Sequence, residues 1–323
     1  MSAAQPDVPV LVITGATGSG KTALVKALFA GKHAVRPAEV ISADSMQVYC
    51  GMNIGTAKPS PALQRVLPHH LIDIRQPDEQ FNAGDFARLA QKVCLEIAGR
   101  GALPVVCGGS LFYLNALLRG IPESPPSSPE LRARLKTELR SRGAAALAEE
   151  LARCDNASAR RIHPHDEYRL LRALEVFRLC GQPLSAFRQN APAEDQPLRF
   201  TVFAASRPRP DLYRRIDERT ARMLAGGLRA EVAALFAQGH TPRAPGLKAI
   251  GYREFFCETP AGEYQLLPET LDTEIAQTIA RNTRRYAKRQ LTWLRSLPEA
   301  RPLPLDNEAA LAAFRFQISG FSR

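Results

Sequence analysis

Val8-Pro9-Val10-Leu11-Val12-Ile13-Thr14-Gly15-Ala16-Thr17-Gly18-Ser19-Gly20-Lys21-Thr22 decides the fold. Residues 8–13 are apolar and β-branched without alternation, the pattern of a strand buried on both faces of a parallel sheet. From Gly15 to Thr22 the chain matches G-x-x-x-x-G-K-[ST], and residues 23–29 continue with helical propensity. Strand before and helix after is the context this pattern requires. Its glycines let backbone N–H groups turn inward around an anion, and the helix start adds partial positive charge. Gly15, Ala16, Thr17, Gly18, Ser19, Gly20, Lys21 and Thr22 are therefore the candidate phosphate-binding residues. Lys21 neutralises phosphate oxygens, and the Thr22 hydroxyl is the candidate Mg²⁺ ligand. The signal is for a di- or triphosphate and does not name a reaction.

Working outward, residues 39–42 read as a second strand. A helix is predicted over 86–98, with Phe86, Leu89, Ala90, Val93 and Ile97 at helical spacing. A buried strand over 103–107 follows, closed by Gly108-Gly109. Alternating strands and helices imply an α/β layer with a parallel sheet. Residues 121–129 are a proline-rich linker, with Ser128 as N-cap and Pro129 at the first helical position. Residues 130–179 are helical in composition, and 198–205 return to strand character. The predicted organisation is a P-loop NTPase-like parallel sheet flanked by helices, formed by 1–121 and 198–323. A small all-helical insertion spans 122–197. One long amphipathic helix is expected over 211–238, weakened at Gly226-Gly227, and another over 272–297. The tail after Pro298 carries little signal.

The 323 residues hold 43 Lys+Arg against 32 Asp+Glu, a net charge of +11. That excess favours a polyanionic partner. No stretch approaches the ~18 apolar residues of a membrane span, and residues 8–13 are too short for a signal peptide's apolar region. The expectation is a cytoplasmic protein with no membrane association. The six cysteines (Cys50, Cys94, Cys107, Cys154, Cys180, Cys257) have no C-x-x-C spacing, so they read as free thiols, mostly buried, and not as a zinc site.

Proteins with this loop commonly transfer a γ-phosphoryl group and hold Mg²⁺ with an acidic residue at the end of a second buried strand. Here that strand ends in Cys107-Gly108-Gly109-Ser110, without a carboxylate. The nearest alternative is Asp44, just past residues 39–42. The bound diphosphate thus reads as a leaving group more readily than as a phosphoryl donor. Between Ile275 and Pro298 there is no Asp or Glu, but there are Arg281, Arg284, Arg285, Lys288, Arg289 and Arg295. Spacings of three and four set Arg281, Arg284, Arg285 and Lys288 on one helical face. Cations without acidic partners suit a phosphate-lined ligand. Arg160-Arg161 and Arg169-Arg172 form a weaker second cluster.

Several further segments resemble the tRNA dimethylallyltransferase (tRNA isopentenyltransferase) family. They are Asp44-Ser45-Met46-Gln47-Val48-Tyr49, Gly55-Thr56-Ala57-Lys58-Pro59, Pro68-His69-His70-Leu71-Ile72-Asp73, Gly108-Gly109-Ser110-Leu111-Phe112-Tyr113, Gly251-Tyr252-Arg253 and Lys288-Arg289-Gln290-Leu291-Thr292-Trp293-Leu294-Arg295. The resemblance covers about residues 10–296. It implies transfer of a dimethylallyl group from dimethylallyl diphosphate to N6 of the adenosine immediately 3′ of the anticodon, in tRNAs reading codons that begin with U. It implies that Thr17 lies beside the reacting groups, that Asp44 is the general base and that Arg219 binds the diphosphate. It also implies tRNA contacts by Asp44, Ser45, Met46, Gln47 and Ser110, by Tyr168, Arg169, Leu170, Leu171 and Arg172, and by Lys248, Ala249, Ile250, Gly251, Tyr252 and Arg253. Arg281, Arg285, Lys288 and Arg289 join them from the basic helix. Three positions depart from the family pattern: Ser110 for threonine, Tyr168 for glutamine, and Lys248 for arginine. The last keeps charge but loses bidentate geometry.

The implied chemistry is displacement at an allylic carbon. Charge developing on the departing diphosphate needs fixed positive groups, for which Lys21, Arg219, the loop N–H groups and Mg²⁺ on Thr22 are suited. A carboxylate at Asp44 would accept the amine proton. The expected partners are the tRNA anticodon stem-loop and dimethylallyl diphosphate, with the protein a monomer. A small-molecule kinase, an RNA-dependent ATPase that binds nucleotide (ATP) in the loop, and a prenyltransferase for free AMP are the competing readings. The first leaves the basic helix unexplained.

Overall fold

The computed structural model describes residues 8–32, 34–120, 124–163, 165–187 and 197–321. The start of the linker (121–123) and residues 188–196 of the expected insertion lie outside them. The chain divides into two compact units, residues 1–118 with 196–323, and residues 119–195.

Among the described residues the main sheet of the first unit has six strands, β1 (Val8–Gly15), β2 (Ala38–Ser42), β3 (His69–His70), β4 (Leu103–Gly108), β5 (Leu198–Ser206) and β8 (Ala300–Pro304). β6 (Phe256–Glu258) and β7 (Tyr264–Leu266) form a separate antiparallel pair in this unit, and α2 (Pro61–Val66) and α4 (Leu111–Arg119) are among its helices. The order in the main sheet is β3-β2-β4-β1-β5-β8, and every pair in it is parallel. β1 lies in the middle, with Leu11 opposite Val105 on one side and Thr201 on the other. Val10, Leu11, Val12 and Ile13 have no exposed surface, which explains the unbroken apolar run. Helix α1 (Lys21–Phe29) packs Val25, Leu28 and Phe29 against Leu11, Ile13 and Val105. Helix α3 (Ala83–Gly99) buries Phe86, Ala90, Cys94 and Ile97, and starts at a capping box formed by Asn82 and Asp85.

The helix expected over 211–238 is two helices, α9 (Arg209–Ala225) and α10 (Leu228–Ala237). Gly227 sits at φ 94°, a left-handed conformation that ends one helix and starts the next. The helix expected over 272–297 is α11 (Asp272–Leu294). The tail holds β8 and α12 (Glu308–Ser319), both missed in sequence. β8 contains Pro302 and Pro304, which an edge strand tolerates and a strand pattern conceals. Of the six cysteines, only Cys94 is fully buried and Cys180 is exposed, so the expectation of mostly buried thiols is corrected; all six are free. Trp293 is only partly buried. No helix of the described residues is long and apolar enough to cross a membrane.

The second unit is helical. α5 (Pro129–Cys154) begins at the Ser128 cap, whose Oγ accepts from Leu131 N–H at 3.3 Å. It is broken at Gly143, where φ is 79° and ψ 162°. α6 (Asn156–Ala159), α7 (Glu167–Cys180) and α8 (Leu184–Phe187) complete it. Leu135, Leu147, Leu151, Leu170, Leu171 and Leu174 form its core. Glu175, with no exposed surface, accepts from Ser127 Oγ, Ser128 N–H, Arg132 and Arg172.

Candidate active site

The carboxyl ends of β1, β2 and β4 open on a cleft of about 550 Å³. Ligands of open parallel sheets gather at such an edge. Gly20, at φ 106°, caps α1 in a left-handed conformation, so the phosphate loop turns into the helix without a side chain in the way. Lys21 Nζ donates to the carbonyl oxygens of Gly15 (2.8 Å) and Ala16 (2.9 Å). Burial lowers the Lys21 ammonium to a pKa of about 8, against the opposing pull of Cys107 and Asp44. Burial also pushes the neighbouring Cys107 thiol up to about 11, so it remains a thiol at neutral pH.

α9 presents Arg215, Arg219 and Arg222 to this cleft, at spacings of four and three. Arg215 Nε donates to Gly18 O at 3.0 Å, and Arg207, just after β5, donates to Ser19 O at 2.8 Å. Arg219 reaches Thr17 Oγ1 at 3.5 Å and Thr56 O at 3.4 Å. Burial lowers its pKa, while Asp44 favours its charged form. Arg219 came from the resemblance alone. Arg207 and Arg215 were missed, although the Arg215–Arg219–Arg222 spacing was legible as one helix face.

Asp44 lines the same cleft. Its Oδ1 accepts from Met46 N–H at 2.9 Å, so it caps the turn it starts and faces the cleft as well. Ser110 Oγ accepts from Ser45 N–H at 2.8 Å, which ties the 44–47 segment to the end of β4. Gln47 is held at both ends: Oε1 accepts from Ser42 Oγ at 2.8 Å, and Nε2 donates to Thr56 O at 3.3 Å and Ala57 O at 3.4 Å. Its carboxamide ties the 44–47 segment to β2 and to the 56–57 loop while lining the cleft. Tyr49 is 2% exposed, which makes it a core residue and not a stacking platform.

The 248–253 segment divides. Lys248 and Arg253 are exposed, the latter beside Glu254. Ala249, Ile250 and Gly251 line the cleft. Tyr252 is fully buried and donates to Glu231 Oε1 at 2.7 Å, so it holds the fold and presents no surface to RNA. That Glu231 also accepts from the N–H groups of Asn53, Ile54 and Gly55, fixing the loop whose Gly55, Thr56 and Ala57 line the cleft. Glu231 had no sequence signal, because its partners are backbone groups far away in the chain.

α11 has two faces. Arg281, Arg285, Lys288 and Arg289 are exposed, with the Arg289 guanidinium 5.8 Å from the Tyr286 ring. Arg284 is not an unpartnered cation: it pairs with Asp217 of α9, which corrects the expectation of a helix without acidic partners. The opposite face places Ile279, Thr283, Tyr286 and Gln290 in the cleft, at spacings of four, three and four. Burial raises the Tyr286 hydroxyl to about 12, helped by Asp44. Gln290 is 4% exposed; its Oε1 accepts from Thr17 N–H at 2.8 Å and its Nε2 donates to Gly109 O at 2.7 Å.

In the helical unit, Tyr168 is 70% exposed, with Arg132 stacked 4.5 Å from its ring. Arg169 is exposed and pairs with Asp166. Leu170 and Leu171 are core, and Arg172 binds Glu175, Ser124 Oγ and Pro125 O. Leu170 and Leu171 are thus buried and apolar, and Arg172 is held within the fold by Glu175. His70 pairs with Glu39, and His69 Nδ1 meets Leu67 O, so both histidines serve the sheet edge.

No group of three or more His, Cys, Asp or Glu among the described residues could hold a metal ion. Asp44 is the one carboxylate among the described residues lining the cleft, beside hydroxyls that include Thr22. That sparse set suits a Mg²⁺ bound largely through substrate phosphate oxygens and water, with Thr22 as its protein ligand.

The family model described as IPP transferase matches residues 47–297. A tRNA dimethylallyltransferase of Geobacter sulfurreducens is 46% identical over 294 residues, covering 90% of this chain and 89% of that protein. Another, from Trichlorobacter lovleyi, is 45% identical over 289 residues, covering 90% and 91%. Among solved structures, the full-length tRNA isopentenylpyrophosphate transferase of Bacillus halodurans is similar with a TM-score of 0.64 and 33% identity, over 98% of this chain and 96% of that one. A eukaryotic dimethylallyltransferase acting on tRNA gives a TM-score of 0.73 at 25% identity, over 92% and 74%.

Proposed function

This chain belongs to the IPP transferase family and is a tRNA-modifying prenyltransferase, and from that premise we propose that its donor is dimethylallyl diphosphate and its acceptor N6 of the adenosine immediately 3′ of the anticodon, in tRNAs reading codons that begin with U. One observation carries the mechanism: Lys21, Arg219 and Asp44 line one cleft, cations and carboxylate together.

The phosphate loop holds the diphosphate through inward N–H groups, with Lys21 and Arg219 taking up the charge that develops as the allylic C–O bond breaks. Thr17, within the loop and 3.5 Å from Arg219, would lie beside the reacting groups. When bound, a Mg²⁺ held by Thr22 would add positive charge at the diphosphate. Asp44 accepts the proton from the exocyclic amine, a poor nucleophile because its lone pair is delocalised into the ring. The adenosine leaves its stack to reach the cleft, which costs a few kcal/mol that binding offsets. Exposed Arg281, Arg285, Lys288 and Arg289, with Lys248 and Arg253, supply phosphate contacts to the anticodon stem-loop, and Tyr168 and Arg169 add contacts from the helical unit. The protein works in the cytoplasm as a monomer. No carboxylate follows β4 to serve a γ-phosphoryl transfer, which disfavours the kinase reading.

Carbon-labelled dimethylallyl diphosphate, incubated with the protein, Mg²⁺ and unmodified tRNA, should label the RNA. Failure to label any tRNA with adenosine after the anticodon would defeat the proposal.

A further inference from the structure

We propose that Glu231 is a positioning residue for the reaction: by clamping the 53–57 loop it aims the Arg219 guanidinium at the departing diphosphate. This rests on the reading that Arg219 binds that diphosphate, and adds the device that places it.

Four observations converge. First, both oxygens of the Glu231 carboxylate serve one loop. Oε2 accepts from the N–H groups of Asn53 (2.9 Å) and Ile54 (2.8 Å), and Oε1 from those of Ile54 (3.0 Å) and Gly55 (3.2 Å). Successive N–H groups turned to one side form a concavity that takes an anion, and here the anion belongs to the fold. Second, Oε1 also accepts from the Tyr252 hydroxyl at 2.7 Å. That ring is fully buried, and a Cβ on Gly55 would collide with it, so the clamp cannot shift without moving the core. Third, the loop is held as firmly at its far end. Gln47 Nε2 donates to Thr56 O and Ala57 O, and the buried Lys58 ammonium donates to Tyr49 O at 2.8 Å and to Asp73 Oδ1 at 2.5 Å. Between the two anchors Ala57 adopts φ 50°, a left-handed conformation that a residue other than glycine keeps only where its surroundings dictate it. Fourth, Arg219 has two hydrogen-bond partners among the described residues, Thr56 O at 3.4 Å and Thr17 Oγ1 at 3.5 Å. Thr17 belongs to the phosphate loop, so Thr56 O is the acceptor outside that loop that directs the guanidinium.

The consequence is an arginine aimed in advance and left charged. A long side chain that must be ordered when its ligand arrives weakens binding through lost rotamer freedom, and a fixed carbonyl removes that loss beforehand. A carboxylate set directly on Arg219 would also hold it, but would offset its charge. Glu231, in the first turn of α10, instead directs its charge into the N–H groups of Asn53, Ile54 and Gly55, and the loop passes on only the position of Thr56 O. Support of this kind, one layer behind the group that meets the ligand, is what holds a site to its working geometry.

The test combines calorimetric binding of inorganic pyrophosphate to the full chain with the KM for dimethylallyl diphosphate and for tRNA. Glu231→Gln keeps the size of the side chain, but it offers one accepting oxygen and turns an N–H group toward the loop's own donors. It should weaken pyrophosphate binding and raise the donor KM by about tenfold, within the range of coupling inside one hydrogen-bond network, with the KM for tRNA unchanged. In an Arg219→Ala chain, where Lys21 remains to hold the anion, the same substitution should cost less than about twofold. A merely structural role would lower the amount of active protein and move neither KM. Glu231→Asp decides the question if Glu231→Gln does not fold: it keeps the charge, is one methylene too short to span the N–H groups and Tyr252, and should give the same Arg219-dependent loss. A folded variant with wild-type pyrophosphate affinity and donor KM would overturn the proposal, as would a loss of equal size in the absence of Arg219. An Arg219→Ala chain that binds pyrophosphate like the wild type would overturn the reading of Arg219 itself, a distinct failure.

Discussion

The cleft of the first unit and the core of the helical unit hold their arginines and lysines in different ways. Around the phosphate loop, Lys21 and Arg215 donate to backbone carbonyls of Gly15, Ala16 and Gly18, while Arg207 donates to Ser19 O and pairs with Asp211. A cation held by a carbonyl keeps its charge for a ligand. In the helical unit, Arg178 sits between Glu138 and Glu150, Arg142 meets the same two carboxylates, and Arg132 and Arg172 share buried Glu175. Those charges are consumed by the fold. The lesson is that a cation's partners and exposure, and not its place in a basic cluster of the sequence, decide whether its charge is left for a ligand.

The largest expected effect lies in the helical unit. Burial pushes the Glu175 carboxyl up, yet its bonds from Ser127, Arg172 and Ser128 outweigh that and leave it below the usual range. Glu175→Ala strands Arg132 and Arg172 and should cost about 3–5 kcal/mol of that unit's stability, read as a lowered unfolding midpoint in denaturant. Because the folded-state pKa is depressed, this stabilisation is complete above the ordinary value of 4.5 and is lost as pH falls below it. Unchanged stability would break the claim that these charges are structural.

Next comes Asp44→Ala, which should lower turnover by roughly 10² or more with tRNA affinity nearly unchanged, as filter binding and single-turnover assays would show. Then comes Lys21. Its ammonium is charged below a pKa of about 8 and neutral above it. Pyrophosphate affinity should therefore decline as pH rises through about 8, and Lys21→Ala should remove that pH dependence while weakening binding roughly tenfold. The smallest effect sharpens the comparison most. Arg285→Ala should weaken tRNA binding and lower the salt slope by about one. Arg172→Ala should leave the slope alone and destabilise the helical unit instead.

Much of the fold was legible, for reasons that do not extend to the whole chain. Residues 8–22 combine a strand buried on both faces with a loop whose glycines have one common use, so sheet, crossover and anion site all follow from one stretch. β8 was illegible because an edge strand with two prolines has no strand pattern. The break at Gly227 was visible as a weak point, but its left-handed conformation was not. In the site, the loop and Asp44 were readable from position after strands. Gln290 and Glu231 were not read as site residues, since each works on backbone groups far away in sequence. Arg172 was over-read, because its partner Glu175 lies one turn on and a charge count sees only the arginine.

The central claim is that the loop grips a group about to be expelled while Asp44 removes a proton from the incoming nitrogen. The most direct measurement is one turnover of donor labelled on both its carbon chain and its terminal phosphorus. The account predicts carbon label in the RNA and phosphorus label released as intact pyrophosphate in equal amount, both slowed together in Asp44→Asn. Release of monophosphate, transfer of phosphorus to the RNA, or an unslowed Asp44→Asn reaction would contradict it.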